Sequence, residues 1–350
     1  MKKLLKILLC VLGGLVLAAG GFILYLTVTE FKPAPVEELA VETPTDAEAL
    51  QPGAALDILS WNIGYGGLGA GSDFFMDGGT SVKSADKDTV RQYLDGINTY
   101  LDTSAPDLIM LQEVDINSAR TYSIDQAQVL AGSVYVHAQN YSCSFVPFPW
   151  PPIGKVHSGL MTTTDYLIDR AERISLPCPF SWPVSAANLK RCLLVSYLPI
   201  EGSDAQLVLV NLHLEAYDDG EGKIAQTEQL RSFIRSEYEK GNFVIAGGDF
   251  NQVFPGSLEV YPNEHPELWE PGVLEDSLLP EGWSFAYDNA SPSCRLLNQP
   301  YDPADTANTQ HYVIDGFILS PNVTLNSVET VNLGFANSDH NPVRINVSLG

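Results

Sequence analysis

The apolar runs of this chain are interrupted at their ends by side chains that do chemistry. Asn62 follows "ILSW", Glu113 follows "LIMLQ", His213 sits in "VLVNLHLEA", and Asp249 and Asn251 follow "FVIAGG". Asp315 sits in "VIDG", and Asp339 and His340 stand immediately before "NPVRI". Burying such groups without partners costs several kcal/mol each, so their recurrence at strand ends argues for a shared site rather than a scatter. The inventory is rich in oxygen. Asn62, Glu113, Asp249, Asn251 and Asp339 offer hard donors suited to Mg²⁺ or Mn²⁺, and no Cys-x-x-Cys spacing suggests zinc. Two histidines beside such a metal suit acid–base chemistry near neutral pH. Together these residue types suit hydrolysis of a phosphate ester.

The elements that must position them are short. "LDILSWNIG", "DLIMLQEV", "LLVSYLPI", "QLVLVNLHL", "FVIAGGDF", "VIDGFILS" and "VRINVSL" are rich in Val, Ile, Leu or aromatics between turn signals and read as buried strands. The ends of strands in a packed sheet meet at one rim, which lets distant residues converge. Helical spacing appears between some of them. Val90, Leu94, Ile97 and Leu101 form one such face, stopped at Pro106, and Ile224, Leu230, Phe233 and Ile234 form another, ending at Gly241. With no internal repeat and no second linker, residues 55–350 read as one domain, and a hydrophobic content of 45% is enough for a sizeable core.

"SWNI", "LQEV", "NLHLEA", "GGDFN", "IDGFILS" and "SDHNPV", in this order, resemble the blocks of the endonuclease/exonuclease/phosphatase superfamily across nearly all of residues 55–350. The resemblance implies a four-layer sandwich: two mostly antiparallel sheets packed face to face, with helices outside and the site at the rim. It makes Glu113 the principal metal carboxylate, with Asn62 beside it and Asp339 assisting. Asp249 would position or activate the attacking water, and Asn251 would hold a phosphate oxygen. His340 would contact the scissile phosphate, oriented by Asp315. His213 would be the second imidazole, protonating the leaving group or stabilising the transition state, as in the deoxyribonuclease and sphingomyelinase branches. The cofactor implied is Mg²⁺ or Mn²⁺.

Other residues carry two readings each. Arg120 and Tyr122 follow Glu113 closely in "NSARTY" and are candidates to face the substrate, Arg being suited to bidentate phosphate contact; a structural salt bridge is the plainer role for Arg120. His157, in "KVHSGLMT", is either a substrate contact or a rim histidine. His311 reads as an ordinary strand residue, and His137 and His265 have no case for function. The glycine-rich stretch 64–79 is no P-loop, because no Gly-Lys-Ser/Thr follows. Phe145, Phe148 and Trp150, among the prolines of residues 143–155, form either a protruding apolar loop that touches lipid or ligand, or internal aromatic–proline packing.

Outside this body the sequence changes character. From Ile7 to Thr29 no residue is charged, a length that spans a hydrocarbon core of roughly 30 Å at about 1.5 Å per residue. Residues 1–29 therefore read as an uncleaved single-pass signal anchor in preference to a cleaved signal peptide, whose apolar region is shorter, about 7–15 residues. Lys2, Lys3 and Lys6 before it place the N-terminus in the cytoplasm and the body outside. Leu8 and Leu9 precede Cys10 where lipid attachment favours small residues. Residues 30–54, rich in Pro, Ala and acidic residues, read as a linker. Cys143, Cys178, Cys192 and Cys294 allow up to two disulfides or remain as free thiols. A net charge of −24 offers no basic footprint for nucleic acid and leans the substrate towards a lipid or small molecule. An extracytoplasmic nuclease and a non-catalytic surface-binding module are the competing readings.

Overall fold

The structure, a computed structural model, describes every residue of the chain except 45, 84, 219, 306 and 307. Two large sheets make the body. One has seven strands in the order β1 (Val36–Leu39), β6 (Arg170–Ser175), β7 (Cys192–Pro199), β8 (Gln206–His213), β9 (Phe243–Asp249), β15 (Asp315–Leu319) and β12 (Ser284–Ala286). The other has six: β16 (Val323–Thr330), β17 (Val343–Leu349), β2 (Ala55–Asn62), β3 (Leu108–Asp115), β5 (Gly154–Thr164) and β4 (Val134–Val146). Two ribbons, β10 (Gln252–Val253) with β11 (Gly272–Val273) and β13 (Cys294–Arg295) with β14 (His311–Tyr312), complete the strands. The neighbours β2/β3 and β8/β9 are parallel, and the other pairs within the large sheets are antiparallel.

Alternation along the strands decides which side chains fill which layer. Ile58, Met110, Leu160 and Ile345 of one sheet meet Leu194, Leu209, Ile245 and Phe317 of the other in the central core. Their neighbours Leu59, Trp61 and Leu111 point the opposite way and bury Val90, Leu94, Ile97 and Leu101 of helix α2 (Lys87–Ser104). On the far face Val208, Val210 and Val244 cover Leu230 and Ile234 of the helix Glu221–Glu239. Four layers result, as the family resemblance implies, and strands covered on both faces explain why the sequence shows near-continuous apolar runs. The expected face of the second helix needs one correction, because Ile224 lies exposed near its start. In α2, Asp86 caps the N-terminus by accepting from the Thr89 N–H, and Ala105 ends it in the left-handed region before Pro106.

Residues 30–54 do not stand off from the body as a free linker would. β1 pairs with the edge strand β6, and Leu50 is fully buried, its N–H bonded to the Pro199 carbonyl. Leu39, Val41, Ala47 and Leu50 pack on the central core, an apolar set that the surrounding prolines and acids conceal in the sequence. Helix α1 (Lys2–Val28) is apolar, an 18-residue window within it having a mean hydropathy of 2.6, and is exposed along most of its length; by length and composition it suffices to cross a membrane. Its last turns touch the body. Leu26 packs with Cys143, Val146, Val156 and Ala186, the Phe22 ring meets Phe145 edge to face at 6.0 Å, and Trp182 Nε1–H donates to Thr27 Oγ1 at 3.0 Å.

Candidate active site

Neighbouring strands deliver the polar residues to one rim. His213 ends β8, Asp249 ends β9 directly beside it, and Asp315 opens β15 on the other flank of Asp249. From the second sheet Asn62 ends β2, paired with Gln112 on β3, and Glu113 comes next. Glu113 adopts φ +60° where the β3–β5 register shifts between Leu111 and Val114. A non-glycine residue rarely takes that conformation, and in a bulge it re-aims the side chain. Beneath the rim, Gln112 Nε2 donates to Asn211 Oδ1 at 2.8 Å, and Asn211 donates to the Leu111 and Met161 carbonyls, so a buried polar tie joins the two sheets. The loop carrying Asp339 and His340 is held by Ser338, whose hydroxyl donates to the Asn62 carbonyl, and by Trp61, whose indole N–H donates to the His340 carbonyl.

His340 Nδ1 lies 2.8 Å from Asp315 Oδ2, an oxygen that also accepts from the Ser293 hydroxyl at 2.7 Å. Burial alone would lower the pKa of His340, but the Asp315 carboxylate holds it well above the ordinary imidazole value. His213 behaves oppositely: burial, with Arg191 and His340 nearby, keeps it well below that value and hence neutral. Asp249 lies between the two rings, with Oδ2 at 3.4 Å from His213 Nε2 and 3.8 Å from His340 Nε2. The same oxygen accepts from Asn62 Nδ2 at 3.0 Å, and Oδ1 accepts from the Asn251 N–H at 2.8 Å. Burial pushes the Asp249 carboxyl up to about 7, partly offset by His340.

A divalent cation fits the donor set. Burial raises Asp339 to about 7, and the nearby charge of Glu113 adds to the rise. Buried carboxylates gathered in this way call for a counter-charge. Gly64, at φ +51°, leaves the space free, since a Cβ there would stand 2.7 Å from Asp339 Oδ1. The Asn62 amide nitrogen faces both Glu113, at 3.4 Å, and Asp249, while its oxygen accepts from the Gly64 N–H. Asp249, Asp315 and His340 are also close enough to share an ion, but their contact through His340 Nδ1 is already a hydrogen bond.

Asn62, Glu113, His213, Asp249, Asn251, Asp339 and His340 line a cavity of about 420 Å³, and Asp315 stands behind His340, outside the lining. Arg120 reaches its wall, but the Nε–Nη2 edge of its guanidinium donates to both oxygens of Asp115, at 2.9 and 2.8 Å, and the group stacks on the Tyr65 ring. Tyr122 and His157 do not line the cavity. Tyr122 is exposed and donates to the Ala85 carbonyl. His311 stacks on Phe335, and the five cysteines are free thiols. Tyr65, Asp77, Arg191 and Tyr217 join the lining without any sequence signal, and Ser293 sits behind Asp315 with none either. For Gln112 and Asn211 a signal existed, since both lie inside the blocks "LQEV" and "NLHLEA".

Two face-to-face sheets with helices outside and a rim of carboxylates and paired imidazole define a class of phosphoester-processing folds. Residues 59–340 match the Endonuclease/Exonuclease/phosphatase family, and the chain belongs to it; members are generally metal-dependent phosphoesterases that typically use Mg²⁺. Among solved structures, the fold is similar to an endonuclease/exonuclease/phosphatase from Beutenbergia cavernae DSM 12333, at 15% identity and a TM-score of 0.53, covering 85% of this chain and 72% of that one. It is also similar to one from Bacteroides vulgatus, at 17% identity and TM-score 0.51, covering 85% and 100%. A protein of this family from Bacteroides thetaiotaomicron matches at 14% identity and TM-score 0.51, covering 85% and 99%. No curated protein sequence matches the chain.

Proposed function

We propose that the chain is a divalent-metal-dependent hydrolase of phosphate esters, anchored by α1 with its body outside the membrane, and that it acts on a lipid or small-molecule ester in preference to nucleic acid. The observation that carries the reading is that His340, backed by Asp315, lines the cavity together with Asp249 and a neutral His213, Asp249 lying between the two rings. Glu113 and Asp339 would hold Mg²⁺ or Mn²⁺, which when bound supplies positive charge to a phosphate oxygen, while Asn62 positions Glu113 and Asp249 through its amide nitrogen rather than ligating the ion. Asp249, its pKa raised to about 7 by burial, suits taking a proton from the attacking water as the new P–O bond forms and the ester P–O bond breaks, the leaving oxygen departing as the alcohol with a proton from solvent. His340, kept cationic by Asp315, suits donating a hydrogen bond to the phosphate as charge accumulates there. His213 is neutral, so it serves Asp249 and the substrate by hydrogen bonding rather than by charge. Asn251 spends one amide hydrogen on the Leu214 carbonyl and keeps another for a phosphate oxygen.

The anchor's lysines and the acidic body support the topology and the substrate preference. The test is turnover of an artificial phosphodiester by the purified protein before and after exhaustive chelation. Activity is expected to vanish and to return with Mg²⁺ or Mn²⁺, and Glu113→Gln is expected to lower kcat by on the order of 100-fold at saturating metal. Turnover unchanged by chelation removes the metal from the reading.

A further inference from the structure

The cavity and the membrane helix share a wall. Val146, Ile153 and Ala187 line the cavity that holds His213, Asp249 and His340, and the same three residues pack in the cluster that receives Leu26 and Phe22 of α1. Phe148, Phe180 and Leu189 continue this apolar lining, and Phe148 meets Phe75 across it, ring centroids 6.3 Å apart. The cavity is therefore polar where the catalytic groups stand and apolar on the side that abuts the helix.

That side lies at a definite depth. Phe22, Leu26 and Thr27 belong to the last two turns of α1, and the first charges beyond them, Glu30 and Lys32, pair with each other, Glu30 also binding Lys190. An apolar segment that just spans a bilayer places these turns at its outer interface. The two loops fastened there, residues 147–153 and 178–190, also present bare apolar groups: Phe148 is 72% exposed, Trp150 86%, Trp182 61% and Val184 56%. Tryptophan at this level is the usual residue of a membrane–water interface, and an exposed apolar cluster of this size on a soluble surface needs a cover. The bilayer that α1 enters supplies it.

We propose that these two loops rest in the outer face of the bilayer entered by α1, and that the cavity opens onto it to take the phosphodiester headgroup of a lipid from that leaflet. The apolar wall of Val146, Phe148, Ile153, Phe180 and Leu189 covers the first methylenes of the lipid while the phosphate reaches the rim. This rests on the phosphoesterase and anchor readings above. It adds the substrate class and the surface from which the substrate comes.

The test uses the full chain reconstituted in phosphatidylcholine vesicles doped in turn with phosphatidylglycerol, phosphatidylinositol or sphingomyelin, with bis(p-nitrophenyl) phosphate as the soluble comparison. At least one vesicle lipid is expected to be hydrolysed. Its turnover relative to the soluble ester is expected to fall roughly tenfold in Trp150→Ser/Val184→Ser, the size of effect that follows from removing two apolar side chains from an interface. Independently of turnover, lipids brominated near the headgroup are expected to quench a fluorescence component that is absent from Trp150→Phe/Trp182→Phe. Soluble-ester hydrolysis with every vesicle lipid untouched overturns the lipid substrate while the phosphoesterase stands, and a ratio that the double variant leaves unchanged overturns delivery of the lipid across the two loops. No quenching overturns the membrane-seated loops. Quenching without turnover of either substrate in Mg²⁺ or Mn²⁺ leaves the seat in place and removes the phosphoesterase.

Discussion

Replacing His340 by Ala removes the one imidazole that the site keeps charged, and turnover is expected to fall by orders of magnitude, on the scale of about 10³. Asp315→Asn is expected to lose much of the same activity, because the amide no longer holds the ring cationic at 2.8 Å. The two changes act through one contact, so the double variant should be little worse than His340→Ala alone. Specific activity and melting temperature measured together distinguish this from a turn that merely closes the last strand, where stability would fall and turnover of the folded fraction would persist. Asp77 offers a separate check with a defined sign. Burial lifts its carboxyl to about 6, although Tyr217 and the Leu297 N–H donate to it. An unfolded aspartate titrates near about 3.9, so as pH rises from there to about 6 the folded chain keeps a proton the unfolded chain has lost, and stability declines by roughly 3 kcal/mol. Asp77→Asn should therefore raise the melting temperature above about pH 7 and change it little near about pH 4. Asp339 and His340 were legible because a charged pair before an apolar strand is out of place. Asp77, Tyr217 and Arg191 were not, since single polar residues in loops carry no period and converge only through tertiary structure.

At the scale of elements, runs such as "FVIAGGDF" announce strands because each is covered on both faces, and the residue that breaks the run marks the rim. The conformation of Glu113 was hidden: nothing in "LQEVD" signals a positive φ in place of ordinary alternation. Residues 30–54 show the opposite failure, where Pro and acidic composition masked a strand and a buried leucine. Leu50→Ala is expected to cost about 2–4 kcal/mol of stability, the loss typical of a fully buried leucine. Chemical denaturation of the detergent-solubilised chain reads this directly, and a change near zero would return the segment to a loose tether.

For the molecule as a whole, the net charge of −24 bears on encounter with substrate more than on fold. Turnover of a long oligonucleotide, if any occurs, should rise as added salt screens the repulsion, whereas a small neutral-bodied diester should respond little over the same range. A fall in oligonucleotide KM with salt, at constant kcat, is the expected signature. The seat of α1 on the body could not be read from composition, since Phe22 and Leu26 are two apolar residues among many in that helix. With α1 in a bilayer, as proposed above, its consequence is kinetic. A body hung on a loose tether tumbles and samples the solvent in three dimensions, whereas one clasped by the Leu26 contacts and the Trp182–Thr27 bond keeps a fixed bearing towards the lipid plane. On the anchor and lipid-substrate readings proposed above, its search would become two-dimensional, and at low substrate density its rate would be set by how fast lipids drift sideways, so that the fluidity of the bilayer would act as the throttle.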